Sequence, residues 1–161
     1  MASAGQRRTA LAVSVVDGRG RAVRAPGLGR WLARIAPARA RGEVTIALVS
    51  DARVRALNRA YRGKDAATDV LSFSAPPLVG RLRTGPPPLG DIVIARGVAR
   101  RQARAHGHGE ATEWRVLALH GLLHLLEYDH AKDGGAMRRV ESRLRRRGGL
   151  RDGLIERGAR A

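Results

Sequence analysis

The sequence predicts a single small α/β (α+β) domain, with a mixed four-stranded sheet packed with about five helices. Three observations predict it. Runs with strand character alternate with runs of helical spacing, and the chain then ends in consecutive helices. At 161 residues, the length fits one domain, 1–161, with one sizeable core. Hydrophobic residues make up 43% of the chain but aromatics only 3%, so that core is built from Leu, Val, Ile and Ala.

The elements follow in order. Residues 10–16 are Val-rich and weakly alternating, which predicts a strand. The short apolar stretch after Arg7-Arg8 ends at once at Asp17, so it does not make a secretion signal. Leu28, Trp31, Leu32 and Ile35 stand at helical spacing after Pro26. The β-branched run 44–49 predicts a strand, and Ser50 or Asp51 then caps a helix whose inner stripe is Val54, Leu57 and Tyr61. Residues 69–73 are a short strand. Residues 75–90 hold five prolines and three glycines and predict a loop, followed by a strand over 92–95. A helix over 97–105 is broken by the Gly-rich His106–Gly109, which leaves His106 and His108 as surface residues. A long helix runs from Glu110 to about Leu126, with Glu110 and Glu113 near its positive end. A last helix spans about 135–147 with Met137, Val140 and Leu144 inward. Residues 1–9 and 148–161 are expected to be flexible ends.

Composition narrows the function. There is no cysteine, which excludes a disulfide scaffold, a zinc ribbon, an iron–sulfur site and a cysteine nucleophile. Few aromatics argue against an RNA binder that stacks bases on an aromatic platform. Thirty-one basic residues against 14 acidic ones give +17, and only Lys64 and Lys132 are lysines. Arginine pairs with phosphate through a bidentate fork, so the balance points to a polyanion, most simply nucleic acid. Codon bias explains Arg in place of Lys but not the excess of base over acid. The longest apolar run, 116–126, is interrupted by His120, Gly121 and His124 and is too short to span a bilayer. A soluble cytoplasmic protein is expected.

The chemistry concentrates in residues 120–130. His120 and His124 lie one turn apart on one helical face and can converge on one ion. His130 reaches the same ion if the helix ends and the chain turns back. Three imidazoles leave an open position on Zn²⁺, the layout of a catalytic site on a buried helix and the turn after it. Other divalent metals accept imidazole as well. The competing view is three hydrogen-bonded structural histidines, but two imidazoles buried on an apolar helix are costly without a ligand. The spacing is shared with zinc proteases whose second position is a Glu base. Here that position is Gly121, so a protease reading fails at its reacting residue.

The segment resembles the signature of the YbeY family of bacterial rRNA maturation factors, H-G-x-L-H-L-x-G-Y-D-H. The sequence agrees at His120, Gly121, Leu123, His124, Leu125, Tyr128, Asp129 and His130. A second block, Asn58 to Asp65 followed by Thr68 to Phe73, is similar to the family's N-x-x-Y-R-x-K-D…T-D-V-L-S-F, and Leu89-Gly90-Asp91-Ile92 matches its L-G-D-I. The resemblance covers about residues 10–147. It implies a zinc-dependent, single-strand-specific endoribonuclease acting in 16S rRNA 3′-end maturation and ribosome quality control, with the small ribosomal subunit as partner and no membrane. It implies three metal-holding histidines and places the functional arginine at Arg62. Lys64 is then a candidate phosphate contact. Asp129 is a candidate for orienting a metal-held imidazole or for capping the turn before His130, while Asp69 and Asp91 read as structural. Two other readings stand beside it: a ribosome-associated RNA-binding factor with a structural metal, and a metal hydrolase for another substrate. One departure is Glu127, where the family has Gly. Either the backbone carries left-handed strain there or the helix ends by another geometry.

Overall fold

Side-chain alternation along the strands decides which helices they meet. The structure, a computed structural model, describes residues 10–75, 87–127 and 134–150. Strands β1 (Leu11–Asp17), β2 (Gly42–Val49), β3 (Val70–Ser74) and β4 (Pro88–Ala95) form one four-stranded sheet in the order β1-β2-β4-β3. The first, second and fourth strands run parallel, and β3 lies antiparallel on the outer edge of β4. The helices are α1 (Leu28–Ile35), α2 (Asp51–Arg62), α3 (Arg96–Ala105), α4 (Glu110–Leu125) and α5 (Ala136–Arg147). The mixed sheet and five helices are those the sequence predicts.

Val44, Ile46, Leu48, Ile92 and Ile94 point to one face and form the main core with Leu32 and Ile35 of α1, Leu119, Leu122 and Leu123 of α4, and Met137 and Leu144 of α5. Val49, Val93, Ala95 and Leu71 point to the other face and pack with Val54 and Leu57 of α2. Burial on both faces explains why β2 and β4 read as near-continuous apolar runs rather than alternating ones.

Helix α4 presses closely on the sheet. A Cβ on Gly121 would lie 2.7 Å from Ile92 Cγ2 and 3.0 Å from Ser72 Oγ. The Ser72 hydroxyl donates to the Gly121 carbonyl at 3.0 Å. Gly121 therefore belongs to packing.

Two expectations are corrected. Residues 88–90, read as loop, are strand: Pro88 opens β4 and Gly90 pairs with Val44 after a register shift between Glu43 and Val44. Proline is tolerated at the first residue of a strand, and Gly90 takes φ 154°, a conformation that favours glycine. Residues 76–86 of that segment lie outside the described residues. Tyr61, expected on the inner stripe of α2, is 71% exposed. Beyond α5, Trp31 Nε1 donates to the Gly148 carbonyl at 2.9 Å, and Leu150 packs on the main core. Residues 1–9 and 151–161 lie outside the described residues. Among the described residues, no helix is long and apolar enough to cross a membrane.

Candidate metal centre

Position on α4 decides what each histidine meets. Gly121, Leu122, Leu123 and Leu125 are buried, whereas His124 is exposed and His120 partly so. The two imidazoles occupy the face of α4 that opens outward. They are not buried interruptions of an apolar helix, and the burial cost expected for them does not arise. Their Nε2 atoms stand 3.1 Å apart, and the rings meet edge to face with centroids 4.7 Å apart.

Behind His120 stands a residue whose sequence context gives little hint of its role. Glu141 lies four residues after Met137 and three before Leu144, on the buried stripe of α5. It shares the inward side with Val140, which is half-buried and packs against the main core as expected. Its Oε2 is 3.5 Å from His120 Nδ1, and its Oε1 accepts a hydrogen bond from Arg145. Glu141 and Arg145 are only 6% and 4% exposed, so each compensates the other's buried charge. Burial pushes the Glu141 carboxyl up, but the His120 hydrogen bond and the Arg145 charge outweigh it and hold it below its ordinary value. The one available signal is a carboxylate on the apolar stripe of an otherwise basic helix.

The pair suits a shared cation. A carboxylate beside Nδ1 favours the proton there and a lone pair on Nε2, the tautomer that ligates metal. At Zn–N distances of ~2.0–2.1 Å, two ligands on a tetrahedral ion stand roughly 3.4 Å apart. The observed 3.1 Å is close to that. Among the described residues, no group of three His, Cys, Asp or Glu side chains completes a metal cage. His130 and Asp129 lie outside the described residues, as does Tyr128.

Glu127 resolves the departure noted in the motif. Its φ is 67°, left-handed, and it is the one non-glycine residue with positive φ among those described. The backbone thus makes the turn that a glycine makes without strain, at a cost of about 1 kcal/mol. Arg39 Nη2 donates to the Leu126 carbonyl at 3.0 Å and satisfies one of the open carbonyls at this helix end. The Glu127 side chain is exposed.

Arg62 is the last residue of α2, and Lys64 follows Gly63, whose φ of 69° ends the helix. Both are exposed. Asn58 shapes their turn by donating Nδ2 to the Ala66 carbonyl at 2.8 Å, and Asp65 pairs with Arg55. Tyr61 packs edge-on against Phe73 with centroids 5.3 Å apart, so the end of α2 rests on one side of β3. Helix α4 rests on the other side, through Ser72. The structure therefore brings His120 and His124 together. Among the described residues, no hydrogen bond or ion pair joins Arg62 or Lys64 to them. Asp69 Oδ1 accepts from the Val70 amide at 2.8 Å. His108 corrects another expectation: its Nε2 is 2.7 Å from Oε2 of Glu113, a fully buried carboxylate in the first turn of α4.

Comparison with known proteins places this arrangement. The family model described as Endoribonuclease YbeY matches residues 30–147. A protein of Solibacter usitatus named Endoribonuclease YbeY is 45% identical over 136 residues, covering 84% of this chain and 86% of its own length. One of the same name from Anaeromyxobacter sp. is 47% identical over 127 residues, covering 76% of this chain and 63% of its own. Among solved structures, TM1509 from Thermotoga maritima is similar with a TM-score of 0.52 and 25% identity, covering 82% of this chain and 85% of its own. With a match that runs from within α1 to the end of α5 and takes in both histidines of the pair, the chain belongs to the endoribonuclease YbeY family.

Proposed function

We propose that the protein cuts single-stranded RNA internally with the help of a zinc ion, and that its substrate is the 3′ end of 16S rRNA in the cytoplasm, on or near the small ribosomal subunit. Family membership supports the endoribonuclease role. The observation that carries the metal is the His120–His124 pair, with Nε2 atoms 3.1 Å apart and a buried carboxylate behind one ring.

His120 and His124, joined by His130, would hold the ion. When bound, a divalent ion there supplies Lewis acidity at a phosphoryl oxygen. Glu141 keeps the His120 ring oriented and its proton at Nδ1. Arg145 keeps Glu141 charged. Arg62 neutralises charge that grows on the phosphoryl group, Lys64 contacts a neighbouring phosphate, and Asp129 orients an imidazole.

The test is cleavage of a labelled single-stranded RNA by wild type and His124→Ala, purified in parallel, with circular dichroism on both. Wild type is expected to cut, and the folded variant to lose activity by at least about a hundredfold, the scale on which removing one charge-stabilising group acts. Equal cleavage by both overturns the site. Binding without cleavage by wild type favours an RNA-binding factor with a structural metal.

A further inference from the structure

The carboxyl edge of the parallel strands, away from the histidines, carries an open cleft of about 490 Å³. Gly18 and Arg19 border it just after β1, Val49 and Ser50 at the end of β2, Arg53 in the first turn of α2, and Arg96 just after β4. The chain leaves β1 for α1, on the main-core face, and leaves β2 for α2, on the opposite face. Diverging connections of this kind open a crevice at the strand ends, where ligands of open α/β sheets bind.

The cleft is built for an anion. Among the described residues, none of its three arginines is in an ion pair, and all three are exposed. The Arg96 guanidinium lies 5.9 Å from the Trp114 ring centroid, which restricts its position. Of the nearby carboxylates, Asp17 stands close enough for its charge to act on Arg19, and Asp51 is engaged by α3. Asp17 Oδ1 accepts the amides of Arg19 and Arg21, and Asp51 caps α3 through the Val98 amide and pairs with Arg101. The N-terminus of α2 is already capped by Ser50 Oγ. What the cleft offers a ligand is therefore three guanidiniums.

The cleft lies apart from the imidazole pair. Leu125, next to His124, packs on Gly90 near the amino end of β4, and Arg96 follows its carboxyl end. The strand between Gly90 and Ala95 spans about 17 Å at ~3.3 Å per residue.

We propose that Arg19, Arg53 and Arg96 form a second phosphate site that grips the backbone of the RNA substrate at a distance from the cleavage centre. The proposal rests on the endoribonuclease reading and adds to it a place where the strand is held. A chain bound at both points is aligned across the sheet edge, and its binding energy is spent far from the reacting bond.

The test compares Arg19→Ala/Arg53→Ala/Arg96→Ala, and each single variant, with a charge-matched control, Arg30→Ala/Arg34→Ala/Arg41→Ala. Affinity for a long single-stranded RNA is measured against salt, and kcat and KM are measured on that RNA and on a trinucleotide. The cleft variant is expected to bind the long RNA about tenfold more weakly at low salt, with a log–log salt slope shallower by ~0.7 for each phosphate it no longer neutralises. Its KM for the long RNA rises while kcat, and both constants on the trinucleotide, stay at wild-type values. The control keeps the wild-type slope. Equal losses in cleft and control variants, or an unchanged slope in singles with intact melting curves, overturn the proposal. A mononucleotide whose binding is lost in the cleft variant, with RNA affinity unchanged, also overturns it and gives the cleft to a free nucleotide. Cleft-dependent RNA binding without cleavage by wild type leaves the second site standing and removes the nuclease reading. Cleavage with cleft-independent binding does the reverse.

Discussion

Glu127 occupies left-handed backbone at the point where α4 ends, and the strain sits in a single residue. Replacing it by glycine removes that strain and also loosens the unfolded chain, so part of the gain is offset. Glu127→Gly is expected to raise stability by up to about 1 kcal/mol in urea denaturation, with cleavage retained. Lost cleavage in a folded Glu127→Gly would give the carboxylate a chemical role. Glu141 is the opposite case, a buried charge satisfied from two sides. Glu141→Ala removes a charged partner of the buried Arg145 and is expected to cost about 3 kcal/mol. Glu141→Gln keeps the shape but weakens the hold on the His120 proton. It should lower zinc affinity roughly 10–100-fold in a chelator competition. The histidine pair was legible from its spacing alone. Glu141 was not, because an acid on a basic amphipathic helix reads as a solvent-facing residue until the neighbouring helix is in place.

Among the elements, α4 depends on close approach to the sheet. Gly121→Ala places a methyl 2.7 Å from Ile92 Cγ2, inside contact distance. The overpacking is expected to cost about 1–3 kcal/mol by thermal melting, with the helix pushed off β3 and β4. Helix α3 depends on a carboxylate borrowed from α2. Burial raises the Asp51 carboxyl, but the Val98 amide and the Arg101 guanidinium outweigh it and hold it below 3.8. A lowered carboxylate contributes stability that is full above its unfolded value and is lost as pH falls through its folded value. Melting temperature should therefore fall more steeply below about pH 3.8 in wild type than in Asp51→Asn. Asp51→Ala should cost about 1 kcal/mol at neutral pH, the scale of removing a helix cap. The sequence marks Ser50 and Asp51 as candidate caps for α2. Ser50 fills that role, and Asp51 serves a helix 45 residues further on, a pairing with no local signature.

For the whole molecule, the net charge of +17 is the dominant physical fact. RNA affinity should fall linearly on a log–log plot against salt, with a slope of about −0.7 for each phosphate neutralised. A flat response would remove RNA as the partner. Net charge does not say where the phosphates lie. The exposed arginines of α3 beyond Arg96, those of α5 and those of the carboxyl-edge cleft are equal in composition, and only the topology separates them. The cleft forms because β1 and β2 send their connections to opposite faces.

The sequence by itself determined the element order, the pairing of His120 with His124, and the family. Each is carried by local spacing or by contiguous motifs. Tertiary structure decided the rest. It extended β4 back to Pro88 by pairing it with β2, joined Gly148 to Trp31 and packed Leu150 on the main core. It gave His108 a buried carboxylate and His120 a partner on α5. It also packed the end of α2 on one side of β3, through Tyr61 and Phe73, and α4 on the other, through Ser72 and Gly121. Each of these joins residues distant in sequence or turns on which neighbour excludes water. Propensity and period report only a residue's own segment, so neither can carry such information.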